Sequence, residues 1–326
     1  MILNEVEEGI IIDPTKIEKM RNLDSIVFDC DGVLIDVSNS YDLAIKKTVD
    51  FVIKEMAQIN NSGLITTKMI EGLKTSGGFN DEIDVAYALI LGVVAAKKRN
   101  TLFSDFILQV IENADQTGIK SVERYLDAIN VDVFDIRQKL AYPGKKFQNP
   151  LSSIFDEMFY GSELYEQLYK REPQFFHGLG LIENDIVLLN KDLIAKLHQR
   201  FDKKIAIVTG RGNLSAKHSL KDLFKEFDLN NSKFLEDEPR EMAKPNPQSL
   251  MSTIQGMNSS VSLYVGDSME DYIMARKADE SGIPTIFCGV YGTSTDPETK
   301  KTLFENNHAD IIVKSIDLIP KTLNLV

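Results

Sequence analysis

The sequence predicts an α/β protein: a doubly wound, Rossmann-like parallel-sheet core with an inserted all-helical domain. Three observations carry this prediction. Short apolar runs of strand length, each ending in Gly, Asp, Ser or Thr and each near a helical stretch, recur as the βα units of a parallel sheet do. Between about Val37 and Asn184 the period turns helical, with hardly a strand-like run. The 326 residues suffice for about two domains of ordinary size, or for one domain with a large insertion.

In chain order, the first strand is expected at Ser25 to Phe28, followed by strands at Ile205 to Val208, Ser262 to Val265 and Pro284 to Phe287. Lys233 to Leu235 is a further candidate, and Ile311 to Val313 is expected at an edge. The inserted block opens with Asn39 and Ser40 as candidate N-caps, after which Ala44, Ile45, Val49, Val52, Ile53 and Met56 share one helical face. Helices are also expected over Thr66 to Lys74, Glu82 to Lys97, Leu102 to Ala114, Ser121 to Ala128 and Leu151 to Leu168. The predicted division is therefore 1–36 for an N-terminal extension and the first part of the core, 37–185 for a helical cap, and 186–326 for the rest of the core.

Composition narrows the function class. A content of 43% hydrophobic and 26% charged residues argues for a folded soluble protein and against disorder or low complexity. With 37 basic and 49 acidic residues the net charge is -12, which lacks the basic footprint that attracts a phosphate backbone, so nucleic acid is not an expected partner. Cys30 and Cys288 lie far apart in apolar surroundings and read as reduced core thiols of a cytoplasmic protein. The longest strongly apolar stretch, Tyr87 to Ala96, falls well short of the roughly 20 residues that cross a bilayer. An acidic N-terminus without a small-residue cleavage pattern is not a secretory signal, so no membrane partner is expected.

Four short segments carry the chemistry. The first strand runs into Asp29-Cys30-Asp31-Gly32, and two carboxylates two residues apart can both face a crevice if Gly32 permits a tight turn. Thr209-Gly210-Arg211-Gly212 follows a buried strand, where backbone N–H groups can receive a phosphate. Lys244 precedes Pro245-Asn246-Pro247, and Gly266-Asp267-Ser268 leads to Asp271, about one helical turn beyond Asp267. Taken singly, each has a plain reading: an Asx turn, an ordinary strand end, a solvated lysine, a helix N-cap with an extra acid.

Together, in this order, the four segments resemble the signature motifs of the haloacid dehalogenase-like (HAD) hydrolase superfamily. The resemblance covers about Asp24 to Asp36 and Ile186 to Val313, and the helical insertion between the first two motifs looks like that superfamily's helical cap. It implies Asp29 as a nucleophile that forms an aspartyl-phosphate, and Asp31 as general acid and base. It further implies Mg²⁺ held by Asp29, the Asp31 carbonyl and Asp267, with Asp271 as a ligand or supporting acceptor, and a phosphate group bound by Thr209, Gly210 and Lys244. Members that cleave halides or phosphonates lack an acid at the second position, so Asp31 points to phosphate esters.

The expected activity is a Mg²⁺-dependent phosphatase acting on a small phosphorylated metabolite. The alternatives are a phosphomutase of the β-phosphoglucomutase type and a non-enzymatic regulatory or binding protein on the same scaffold. Arg211 either steers a substrate anion or pairs with an acid. Lys74, Gly77, Gly78, Asn80 and Asp84 form a candidate specificity loop, whose Gly77 to Asp84 stretch looks like a loop of one small branch of the superfamily; the plain reading is an interhelical turn.

Overall fold

The computed structural model describes residues 4–60, 63–79, 81–145 and 147–324. They form two compact units: a core unit of Met1–Val37 and Asp185–Val326, and a helical unit of Ser38–Asn184.

The strands of the core unit are β1 (Asn4–Glu7), β2 (Ile10–Ile12), β3 (Ser25–Phe28), β4 (Ile35–Asp36), β5 (Ile186–Val187), β6 (Ile205–Thr209), β7 (Lys233–Phe234), β8 (Ser262–Gly266), β9 (Thr285–Val290) and β10 (Ile311–Val313). Eight of them make one sheet in the order β1-β2-β10-β9-β8-β3-β6-β7. From β10 to β7 every pairing is parallel. Side-chain alternation assigns its two faces. Ile26, Phe28, Ile205, Ile207, Leu263 and Val265 pack in one apolar cluster, and Val27, Ala206, Val208 and Tyr264 in the other. Both faces are covered, which is why these strands read as unbroken apolar runs.

The edge position expected for Ile311 to Val313 is not found. Ile10, Ile11 and Ile12 pair antiparallel with Val313, Ile312 and Ile311, and β1 pairs outside them. The N-terminal extension thus covers what would be an open parallel edge. A second feature not anticipated is the small antiparallel sheet of β4 and β5, which pairs the chain where it leaves the core unit with the chain where it returns.

Asp24 fastens the start of β3 to its neighbours. Its carboxylate accepts from the Ser259 hydroxyl at 2.6 Å, from the Ser260 and Val261 amides, and from Lys204 Nζ at 3.0 Å. Burial raises its pKa, but these donors outweigh burial and bring the carboxyl down to about 2.

The helical unit contains helices Tyr41–Glu55, Thr67–Lys74, Glu82–Lys98, Phe103–Glu112, Ile119–Ala128, Phe134–Leu140 and Pro150–Tyr169. Glu82–Lys98 is its centre: every residue from Val85 to Ala96 is buried, so the apolar stretch that is too short for a membrane is a helix surrounded by helices. The Asp81 side chain caps it by accepting from the Ile83 amide. Ser40 occupies the cap position of the first helix without making the side-chain bond expected there. Phe134–Leu140 was not predicted, since only Ile136 and Leu140 of this short helix are buried and the pattern is too brief to read. The last helix is interrupted at Gly161, where the backbone leaves the helical region. Beside it, Tyr169 meets both Tyr160 and Tyr165 edge to face. Among the described residues, no helix is long and apolar enough to cross a membrane.

Between the second and third helices, Gly77 adopts a left-handed φ of 82° and Gly78 lies against the turn at 115–118. A Cβ on Gly78 would come within 2.3 Å of the Asp115 carbonyl oxygen and 2.5 Å of the Gly118 amide nitrogen. Two outcomes follow, one from this packing and one from the donors around Asp24. Gly78→Ala should lower the melting temperature of the protein, by a free energy of about 1–3 kcal/mol, because two backbone segments must separate. Asp24→Asn should cost about 1 kcal/mol at neutral pH after allowance for solvent screening. Because the folded pKa is depressed, that difference should be complete above about pH 4 and shrink as the pH falls toward 2, as urea unfolding at pH 7, 4 and 3 would measure.

Candidate active site

The strand order β6-β3-β8 brings together three chain segments far apart in sequence at the carboxyl ends of parallel strands, where open α/β sheets bind ligands. Asp29 directly follows β3, and its amide donates to the Val265 carbonyl at 2.9 Å. The next residues turn back sharply: the Gly32 amide donates to the Ile35 carbonyl, and the Leu34 and Ile35 amides both donate to the Cys30 carbonyl. Gly32 has a φ of 73°, and a Cβ there would lie 2.3 Å from Asp267 Oδ2. Only glycine combines this backbone with so close an approach.

Lys244 is the centre of the charge arrangement. Its ammonium lies 2.8 Å from Asp29 Oδ1 and 2.6 Å from Asp271 Oδ1, with about nine-tenths of the side chain buried. Burial disfavours its charge, yet the Asp271 and Asp29 carboxylates outweigh burial and hold its pKa well above the ordinary lysine value. Asp271 is fully buried; burial raises its pKa, but Lys244, the Ser268 hydroxyl and the Tyr264 hydroxyl hold it low. Tyr264 Oη donates to Asp271 Oδ1 at 2.7 Å, while Asp271 Oδ2 accepts from the Asp267 and Ser268 amides and the Ser268 hydroxyl. Ser268 returns the bond as the N-cap of helix Met269–Glu280, completing a capping box.

Asp29 lacks comparable support. Burial raises its pKa, Lys244 lowers it, and Asp271, Asp267 and Asp31 raise it again, so that the carboxyl is pushed up to about 7. Asp29, Asp267 and Asp271 each offer a carboxylate oxygen, and these atoms all lie within 4.8 Å of one another. The all-oxygen donor set suits a hard divalent cation such as Mg²⁺, and the backbone of Gly32 pressed against Asp267 has no room for a side chain that would fill the space. The residues present therefore fit a bound divalent cation.

Thr209, at the end of β6, is buried, and its Oγ accepts from the Arg211 amide at 3.3 Å; Gly210 is exposed beside it. Arg211 does not reach outward. Its side chain is 1% exposed, with Nη2 2.7 Å from Asp31 Oδ1 and Nη1 2.8 Å from Asp185 Oδ2. All the residues so far named belong to the core unit. Lys74, Gly77, Gly78 and Asp84 belong to the helical unit, where Lys74 pairs with Glu82 at 3.2 Å and Asp84 accepts from the Tyr142 hydroxyl at 2.5 Å. Asn80 lies outside the described residues.

Three further residues join the site without having been singled out from sequence. Lys300, on helix Pro297–Asn306, places Nζ 2.7 Å from Asp267 Oδ2. Thr293 donates its hydroxyl to the Gly32 carbonyl at 2.7 Å. Tyr264 sits in β8 beneath Asp271. A tyrosine inside the apolar run Ser262 to Val265 is a readable signal for a buried hydroxyl with a partner. Nothing in the local sequence marks Lys300 or Thr293, which arrive through tertiary folding.

Residues 23–279 match the family described as haloacid dehalogenase-like hydrolase. An imidazoleglycerol-phosphate dehydratase of Phytophthora nicotianae is 31% identical over 140 residues, 41% of this chain; the match spans only 27% of that relative's length. The solved phosphatase Tt82 from Thermococcus thioreducens aligns with a TM-score of 0.58 at 22% identity, covering 86% of this chain and 98% of that one. A structural-genomics target aligns with a TM-score of 0.64 at 18% identity, covering 93% and 98%. Such distant likenesses bear on the fold. The family match, by contrast, extends from the start of β3 beyond Asp267 and Asp271, and with it the chain belongs to the haloacid dehalogenase-like hydrolases.

Proposed function

We propose that the protein is a Mg²⁺-dependent phosphatase that hydrolyses a small phosphorylated metabolite through an aspartyl-phosphate on Asp29. The observation that carries this reading is the buried Lys244 ammonium shared by Asp29 and Asp271, with Asp267 beside them. It joins a candidate nucleophile to a fixed positive charge and to an oxygen-lined place for a divalent cation.

In the first step a carboxylate oxygen of Asp29 bonds to phosphorus as the ester P–O bond breaks, and Asp31 passes its carboxyl proton to the departing alkoxide. In the second, a water oxygen bonds to phosphorus and gives its proton to the Asp31 carboxylate. The Asp29–phosphorus bond then breaks, phosphate leaves, and both side chains are restored. Thr209, the Gly210 amide and Lys244 hold the transferring oxygens, and Lys244 balances charge that grows on them. A divalent cation bound by Asp29, the Asp31 carbonyl and Asp267, with Asp271 supporting or ligating, would supply further neutralisation of the phosphate. Phosphate monoesters need it, since their enzymatic hydrolysis is accelerated by up to ~10²¹-fold.

Within the substrate class, alcohol phosphates bearing an imidazole, such as histidinol phosphate, deserve first place on a test panel beside phosphoglycolate and sugar phosphates. The name of the curated relative, a dehydratase of imidazoleglycerol phosphate, supports that choice. The helical unit, as a cap, would select among them. Two free, buried cysteines support a reducing, cytoplasmic setting.

Asp29→Asn should abolish phosphate release from an aryl phosphate while circular dichroism shows an intact fold; turnover at the wild-type rate would rule out this nucleophile. Chelation should remove activity and Mg²⁺ restore it. Added Mg²⁺ should also raise the melting temperature of the wild type more than that of Asp267→Asn, and equal shifts would contradict the assignment of Asp267.

A further inference from the structure

Resting on the role given to Asp31 above, we infer that Arg211, Asp185 and Ser219 form a clamp that sets the orientation of the Asp31 carboxyl, making Arg211 a positioning residue and not a substrate-binding one. Arg211 Nη2 lies 2.7 Å from Asp31 Oδ1. Its Nη1 lies 2.8 Å from Asp185 Oδ2 and donates to Ser219 Oγ at 2.7 Å, and Ser219 Oγ in turn donates to Asp185 Oδ2 at 2.7 Å. The arginine and Asp185 side chains are only 1% and 2% exposed, whereas Asp31 is 28% exposed. The guanidinium is thus directed at the protein's own acids, and the one member of the group that reaches solvent is Asp31.

Each part is placed by a different element. Arg211 follows β6, Ser219 lies on helix Asn213–Leu220, and Asp185 immediately precedes β5, which pairs with β4 just after the Asp31 turn. The turn that carries Asp31 is therefore held through its backbone by β5 and through its side chain by the residue before β5. Burying a guanidinium and a carboxylate is a poor source of net stability, because desolvation offsets much of their attraction. What the guanidinium, itself fixed by Asp185 and Ser219 through Nη1, does supply is a positive charge held at one place beside a single Asp31 oxygen, which favours one orientation of that carboxyl. A general acid must meet the leaving oxygen at hydrogen-bond distance, and a misdirected one loses much of its effect.

The test is the dependence on leaving group of kcat/KM, which reports the steps up to departure of the alcohol, over 2,4-dinitrophenyl, 4-nitrophenyl and phenyl phosphates. A good leaving group needs little protonation, and a poor one needs it most. Arg211→Met should reduce kcat/KM on the order of 10²-fold for phenyl phosphate but no more than about 3-fold for the dinitrophenyl ester. Ser219→Ala and Asp185→Asn should steepen the same dependence to a smaller degree, and they carry the test if Arg211→Met fails to fold. In an Asp31→Asn background, Arg211→Met should steepen it no further. An equal loss across the series, or an unchanged dependence in all three variants, would overturn the clamp and leave Arg211 a structural or anion-binding residue. The proposed phosphatase chemistry fails separately, through turnover of the dinitrophenyl ester by Asp29→Asn.

Discussion

A lysine ammonium shielded from water between two carboxylates is stable only while the three stay together, and the core unit is organised around that condition at Lys244, Asp29 and Asp271. Removing the lysine from such a group would leave buried carboxylates uncompensated, at a cost of about 3–5 kcal/mol, whereas loss of one carboxylate leaves the lysine paired with the other. The segment carrying Lys244, the end of β3 and the start of helix Met269–Glu280 are consequently locked to one another. Asp271 transmits the constraint further, since Tyr264 beneath it and Ser268 beside it supply the remaining donors. The same residues that define the site thus define how three parts of the core unit meet.

The charges around the D-x-D turn fall into two groups. Lys244 bridges Asp29 and Asp271, and Arg211 bridges Asp31 and Asp185. Asp29 and Asp31, two residues apart, therefore receive different cations from different elements. This separation gives adjacent carboxyl groups different surroundings, the condition under which two like residues take unlike roles. Lys300 adds a third cation at Asp267. A chain of net charge -12 thus concentrates positive side chains where its acids converge, and its overall charge says little about the field inside the site.

Much of this was legible in the chain because local rules govern it. Apolar runs buried on both faces mark strands, and Asp29-Cys30-Asp31-Gly32, Thr209-Gly210 and Gly266-Asp267 stand at the ends of strands, while Lys244 precedes helix Gln248–Gly256. Other features escaped because they depend on pairing between distant segments. Ile10, Ile11 and Ile12 form an apolar triplet that gives no indication of its partner, so the covering of β10 by the N-terminal hairpin was not foreseen. Helix Phe134–Leu140 is too short for its period to stand out. Arg211 presents the same letters whether it faces a substrate or a buried acid, and the choice is made by Asp185, 26 residues away in the chain.

By itself, then, the sequence determined the parallel α/β core, the helical insertion, and the set of acids, lysine and threonine brought to the strand ends, because strand and helix periodicity and turn chemistry are local properties. The tertiary structure decided which charge meets which. Lys244 is held between Asp29 and Asp271, Arg211 turns inward to Asp31 and Asp185, and Lys300 and Thr293 join from a segment without a local marker. The physical reason is that an ion pair's partner and its degree of desolvation depend on the packing of elements distant in sequence, and neither quantity exists until that packing is complete.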